Sequence, residues 1–169
     1  MSFLAIRVAR VFDGERLLDG ITVVLVEDGR IAGVAPGPAA PDGWPTRDLP
    51  DGTLLPGLID AHVHLCADSG PGALDRLTGY TREQLEDTIE ASLEAHLAAG
   101  VTTVRDLGDY RDAVPAWRSK GRPGLPSVVA AGAPITSVGG HCWSMGVRRR
   151  ARTGCARPYG DGPSAAPTS

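Results

Sequence analysis

Branched apolar residues crowd two short runs near the start of the chain, Phe3–Val11 and Ile21–Val26, and recur at Ile31–Val34. Runs of that length and composition predict strands. Asp28-Gly29, just before the third run, supplies the residue pair of a tight hairpin turn, so the first part of the chain reads as a meander. From Pro36 to Pro50 proline and glycine dominate, which predicts an ordered loop or linker. Pro56-Gly57 then turns the chain into a further apolar strand, Leu58–His64. Cys66–Tyr80 carries several glycines and no period, and reads as a loop. A helix follows. Thr81 with Gln84 three residues on makes a capping box, and Glu83 suits the positive helix end. Leu85, Ile89, Leu93 and Leu97 recur at four-residue steps as one apolar stripe, and Gly100 supplies the stop. Val101–Val104 and Val128–Ala131 predict two more strands, with a turn at Pro123–Pro126 between them.

Composition narrows the function classes. The chain has 169 residues and a net charge of −3, enough for one sizeable core and nothing that favours nucleic acid or an anionic membrane. No apolar run approaches the roughly 20 residues of a membrane span. Arg7 and Arg10 interrupt the first strand, unlike a secretory signal. Cys66, Cys142 and Cys155 form neither a paired framework nor a Cys-x-x-Cys, so a reduced, cytoplasmic protein is the expectation. Cys66 and Cys142 each lie near a histidine, yet small buried thiols are the favoured reading.

The chemistry concentrates in Leu58-Ile59-Asp60-Ala61-His62-Val63-His64. Side chains alternate along a strand, so His62 and His64 share a face. Two imidazoles side by side suit a divalent cation of the zinc type, although histidines also sit in strands as ordinary polar residues. Their place at the carboxyl end of an apolar strand is where α/β proteins build sites.

That phrase resembles the first-strand motif of the amidohydrolase superfamily, especially its imidazolonepropionase-like and prolidase-like members. Ala98–Asp106 (Ala-Ala-Gly-Val-Thr-Thr-Val-Arg-Asp) is similar to their passage from helix to second strand. Gly132-Ala133-Pro134-Ile135-Thr136 with Gly139-Gly140-His141 is similar to the end of their third strand. The matches span about residues 4 to 145, in the family's order. The resemblance implies an α/β fold: a β-sandwich portion with linker (1–53), then the first β/α units of a (β/α)8 barrel (54–146), the barrel incomplete in this chain. It implies metal-dependent hydrolysis of C–N bonds in a small non-peptide or dipeptide-like amide, with no nucleic-acid or membrane partner. In the family a metal, Zn(2+) in the first place, activates water, and an aspartate on the eighth strand moves the proton. His62 and His64 carry over as metal ligands, Asp60 as a supporting residue and His141 as a substrate-pocket residue. The family's carboxylated lysine, later histidines and general-base aspartate have no counterpart here. Arg105 and Asp106 read either as a substrate-orienting pair or, preferably, as a structural ion pair. His96 reads as helix surface, and Lys120 as solvated loop.

After Gly146 the character changes. Arg148, Arg149, Arg150 and Arg152 are followed by text rich in Gly, Pro and Ala, without Leu, Ile or Phe. A basic nucleic-acid patch and plain disorder are two readings of 147–169. A G+C-rich gene read out of frame is the third and preferred one. With chosen codons, a two-base shift turns Cys155–Tyr159 into Val-Arg-Pro-Ala-Val and the last residues into Glu-Arg-Gly-Ala-Asp-Val-Val. The expectation is therefore a truncated chain, inactive alone and prone to aggregate, since a barrel needs roughly 200–250 residues. The rival readings are a non-catalytic fragment, half of a split protein, or a small metal-binding module using His62, His64 and Cys66.

Overall fold

The computed structural model describes residues 1–137 and 140–148. The chain divides into two compact units, Met1–Gly57 and the residues from Leu58 onward.

In the first unit four strands form one sheet: β1 (Phe3–Phe12), β2 (Leu17–Glu27), β3 (Arg30–Pro36) and β4 (Thr46–Leu54). Their order is β3-β2-β1-β4. The first three pair antiparallel as a meander, whereas β4 runs parallel to β1. Asp28 and Gly29 have φ of 47° and 75°, the two positive values that a type I′ turn requires. Val8, Val11 and Val24 form the unit's small core, with Ile6 and Leu54 against it. One expectation changes here. The proline-rich stretch is not loop throughout, because Thr46–Pro50 belongs to β4. The four strands of this unit form one sheet.

The second unit is built on a parallel sheet of β5 (Leu58–Val63), β6 (Val101–Asp106) and β7 (Ser127–Ala130), in that order. A short α1 (Ala73–Arg76) and one 3-10 turn (Leu77–Gly79) interrupt the segment expected to be loop. That segment is tied down by Asp68, which accepts from Arg76 at 2.6 Å and from the Tyr80 hydroxyl at 2.9 Å. The long helix α2 (Arg82–Ala98) starts on the capping box: the Gln84 N–H donates to the Thr81 hydroxyl, and the Thr81 N–H donates to the Gln84 side chain. Leu85, Ile89 and Leu93 are fully buried, but Leu97, the fourth residue of the stripe, is 41% exposed. Gly100 ends the helix with φ of 86°.

A third helix, α3 (Ala113–Ser119), was not placed by the sequence pattern. It makes Arg118 and Ser119 helical, and Lys120 caps it instead of lying in a solvated loop. Lys120 reaches Glu86 at 2.6 Å and Arg122 reaches Glu90 at 2.9 Å, both on α2. The Trp117 indole N–H also donates to Glu90, at 3.1 Å. Helices α2 and α3 cover one face of the sheet, packing Leu85, Ile89, Leu93, Val114 and Trp117 on Val63, Val104 and Val128. The opposite face carries Ile59, Thr103, Arg105 and Val129, and there Ile59 is 70% and Val129 54% exposed.

Finally β8 (Ile135–Thr136) pairs in parallel with β9 (Val147–Arg148), at the point where the irregular tail was expected to begin. The rest of that tail, with its arginine run and Cys155, lies outside the described residues. Among those residues no helix is long and apolar enough to cross a membrane.

Candidate functional site

The carboxyl ends of β5 and β6 converge through a set of main-chain bonds. The Leu107 N–H donates to Val63 O at 3.1 Å, and the Ala131 N–H donates to Asp106 O at 3.0 Å. His62 is exposed and is the penultimate residue of β5, and half-buried His64 follows the final strand residue. Their ring centroids are 5.5 Å apart with the planes at 69°, so the two imidazoles do stand side by side.

The register explains the rest of the strand. Asp60 pairs with Val104 and Val63 with Asp106, so three steps on β5 match two on β6. That extra residue is a β-bulge, and it breaks the simple alternation of side chains between Asp60 and Val63. Asp60 instead accepts the His62 N–H at 3.1 Å, and its other oxygen lies 3.6 Å from Nε2 of His96 on α2. His96 is therefore not free helix surface. It is half-buried and also bonds the Ser92 carbonyl through Nδ1 at 2.6 Å.

Behind His64 sits a group that the sequence did not single out for this role. Asp106 is fully buried. Its Oδ2 accepts the Leu65 N–H at 2.8 Å and its Oδ1 accepts the Gly108 N–H at 3.1 Å. The carbonyl of Gly108 in turn accepts Nδ1–H of His64 at 2.8 Å. Arg105 takes no part: its Nε–H donates to Ala61 O at 2.9 Å from the opposite face of β6. The expected Arg105–Asp106 ion pair is absent because neighbouring strand residues point to opposite faces. The available signal was Asp106-x-Gly108 at a strand end, the pattern of an Asx turn.

Asp109, also fully buried, donates its N–H to Gly132 O, and its Oδ2 accepts the Val114 N–H at 2.6 Å, while Oδ1 has no hydrogen-bond partner. Burial pushes the carboxyls of Asp106 and Asp109 above the ordinary carboxylate value, against the pull of their backbone donors. Burial likewise pushes the Cys66 thiol up to about 11, with the charges of Asp106 and Asp109 adding to the effect. Cys66 is thus an inert buried thiol, not a ready thiolate ligand.

Among the described residues no group of three or more His, Cys, Asp or Glu side chains could hold a metal ion. Two imidazoles are what this chain offers there. The donor chemistry suits a divalent cation, because the Gly108 carbonyl engages Nδ1 of His64 and leaves Nε2 for a ligand bond. His141 is exposed in the turn after β8, where its carbonyl accepts from the Thr136 hydroxyl at 2.8 Å. Nothing in its described contacts joins it to the imidazole pair.

Residues 53–129 match the model of the amidohydrolase family. An imidazolonepropionase of Ectopseudomonas mendocina is 33% identical over 140 residues, covering 62% of this chain and 32% of that protein. A dihydroorotase of Citrifermentans bemidjiense is 42% identical over 62 residues, 37% of this chain and 15% of that protein. Among solved structures, a Xaa-Pro dipeptidase with methionine bound in its active site superposes with a TM-score of 0.69 at 26% identity. That match covers 83% of this chain and 36% of the dipeptidase. The chain thus spans about a third or less of the length of these relatives.

Proposed function

We propose, from the premise that the chain carries an N-terminal portion of an amidohydrolase-superfamily protein, that it supplies the first two metal ligands of a hydrolase acting on C–N bonds. The observation that carries the proposal is the pairing of His62 with His64 at the carboxyl end of β5, ring centroids 5.5 Å apart. The parallel order β5-β6-β7, with helices on one face, supports reading these elements as the opening units of a (β/α)8 barrel, whose sites lie at that end of the strands.

His62 and His64 are the residues that would hold the cation, with Zn(2+) first among the candidates for an imidazole donor set. The chemistry such a cation supplies when bound is polarisation of the scissile carbonyl and acidification of water. The chain's own residues prepare for it. Asp60 accepts the His62 N–H and steadies the strand end, and the Gly108 carbonyl holds the His64 ring by its Nδ1 proton. His141 is proposed as a residue of the substrate pocket. The substrate is a small amide, cyclic as for the imidazolonepropionase and dihydroorotase relatives, or dipeptide-like as for the Xaa-Pro dipeptidase.

Two imidazoles fall short of the three or four protein ligands that a zinc site needs. The remaining ligands come from elements beyond those described, and the 169-residue chain by itself does not hydrolyse amides. The test is a zinc titration of the purified chain beside its His62→Ala and His64→Ala variants, followed by assays on cyclic amides and Xaa-Pro dipeptides. Weak binding that either substitution removes is expected, with no turnover. Zinc uptake indifferent to both histidines would sink the ligand assignment. Chelator-sensitive turnover by the isolated chain would sink the claim that it is incomplete.

A further inference from the structure

The most fully bonded polar side chain beside the imidazole pair directs its hydrogen bonds to the backbone and to neither ring. We infer that Asp106 is a positioning residue that sets the tautomer of His64, acting through the main chain on either side of the Gly108 Cα; the inference rests on reading His64 as a metal ligand.

One carboxylate closes a small circuit. Asp106 Oδ2 holds the Leu65 N–H, part of the peptide that leaves His64, at 2.8 Å, while Oδ1 holds the Gly108 N–H at 3.1 Å. The Gly108 carbonyl then receives Nδ1 of the His64 ring at 2.8 Å. A carbonyl oxygen has no proton to give, so the proton of this bond lies on Nδ1 of His64. Nε2 of the neutral ring therefore keeps its lone pair, the form in which an imidazole binds a cation. Both the backbone that carries the ring and the carbonyl that selects its tautomer hang from the same buried side chain.

The energetics favour a rigid circuit. Asp106 has no exposed surface, and releasing either N–H would leave a buried polar group unpaired, which is unfavourable. Rigidity of this kind is what second-layer partners of metal-binding histidines provide, and their loss typically weakens metal binding by roughly 10–100-fold. The Asp109 side chain serves as the control. Its main-chain N–H shares a peptide with the Gly108 carbonyl, but its equally buried carboxylate bonds the Val114 N–H on the α3 side.

The experiment uses the full 169-residue chain, labelled with nitrogen-15, and long-range proton–nitrogen NMR of the imidazoles above their titration range. His64→Gln assigns the signals. In the wild type His64 is expected to carry its proton on Nδ1. Asp106→Asn keeps one acceptor and loses the other; it is expected to convert His64 to a tautomer mixture and to weaken zinc binding by roughly 10–100-fold. Asp109→Asn is expected to change neither reading. A wild-type His64 protonated on Nε2 overturns the inference, whether or not any variant folds. So does an Asp106→Asn protein with an unaltered tautomer, or an Asp109→Asn protein that shifts equally. Nδ1 protonation that depends on Asp106 in a chain taking up no zinc upholds the circuit and overturns the ligand reading instead.

Discussion

Asp106 and Asp109 both carry carboxyls raised above the ordinary value of 3.8, chiefly by burial. A carboxyl with a raised folded-state value stabilises the fold fully below its unfolded value, and that contribution is lost as pH climbs through the folded one. Asp109→Asn removes one such group while keeping an oxygen for the Val114 N–H. Relative to the wild type, this variant should gain stability as pH rises from about 4, read from urea midpoints across the acid range. An identical pH profile would refute the assignment. Asp68 has the opposite sign. Arg76, the Gly70 N–H and Tyr80 hold its carboxyl down to about 2, so its contribution is present above 3.8 and lost as pH falls towards that value. Asp68→Asn should therefore flatten the acid limb from the other side. For Cys66, whose thiol is pushed up to about 11, alkylation followed by peptide mapping should find the residue unmodified in the folded chain and modified after unfolding. Rapid native labelling of Cys66 would contradict its burial.

At the scale of elements, α2 was the most legible part of the chain. Its capping box and apolar stripe were written in local spacing, and the structure bears out both except at the last turn. Thr81→Ala should cost about 0.5–2 kcal/mol through the lost cap, and Leu93→Ala about 2–5 kcal/mol through a core cavity. Leu97→Ala should cost under about 1 kcal/mol, since a residue 41% exposed leaves little cavity. Equal losses at 93 and 97 in denaturant unfolding would contradict the packing. What stayed illegible depends on distant partners. β4 hides behind Pro50 and Gly52 because it is an edge strand, where a missing N–H is tolerated. Its pairing also skips from Leu49 opposite Val8 to Thr53 opposite Arg10, so the turn-forming residues fall in an irregularity of the ladder. At the candidate site, His62 and His64 were visible from their spacing. The β5 bulge that turns Asp60 away was not, since it exists only in the register with β6. Asp106 was misjudged for the same reason: its partners, Leu65 and Gly108, are set by folding and not by the adjoining Arg105.

At the scale of the whole molecule, among the described residues of the second unit, α2 and α3 cover one face of the parallel sheet. Sheets of this kind are almost always buried on both, and here Ile59 and Val129 are 70% and 54% exposed on the open side. The chain should self-associate with rising concentration, and Ile59→Lys with Val129→Lys should shift sedimentation profiles towards the monomer. A wild type that stays monomeric at high concentration would show that the face needs no cover. The parallel pairing of β4 with β1 has a consequence in time. Thr46 lies 19 residues beyond Glu27, the end of β2, so at about 5–20 residues per second a ribosome needs roughly 1–4 s to reach the partner strand once that hairpin is complete. For that interval the hairpin of β1 and β2 leaves the nascent chain with one bare edge, and the hydrogen bonds it will give β4 are open to any extended neighbour.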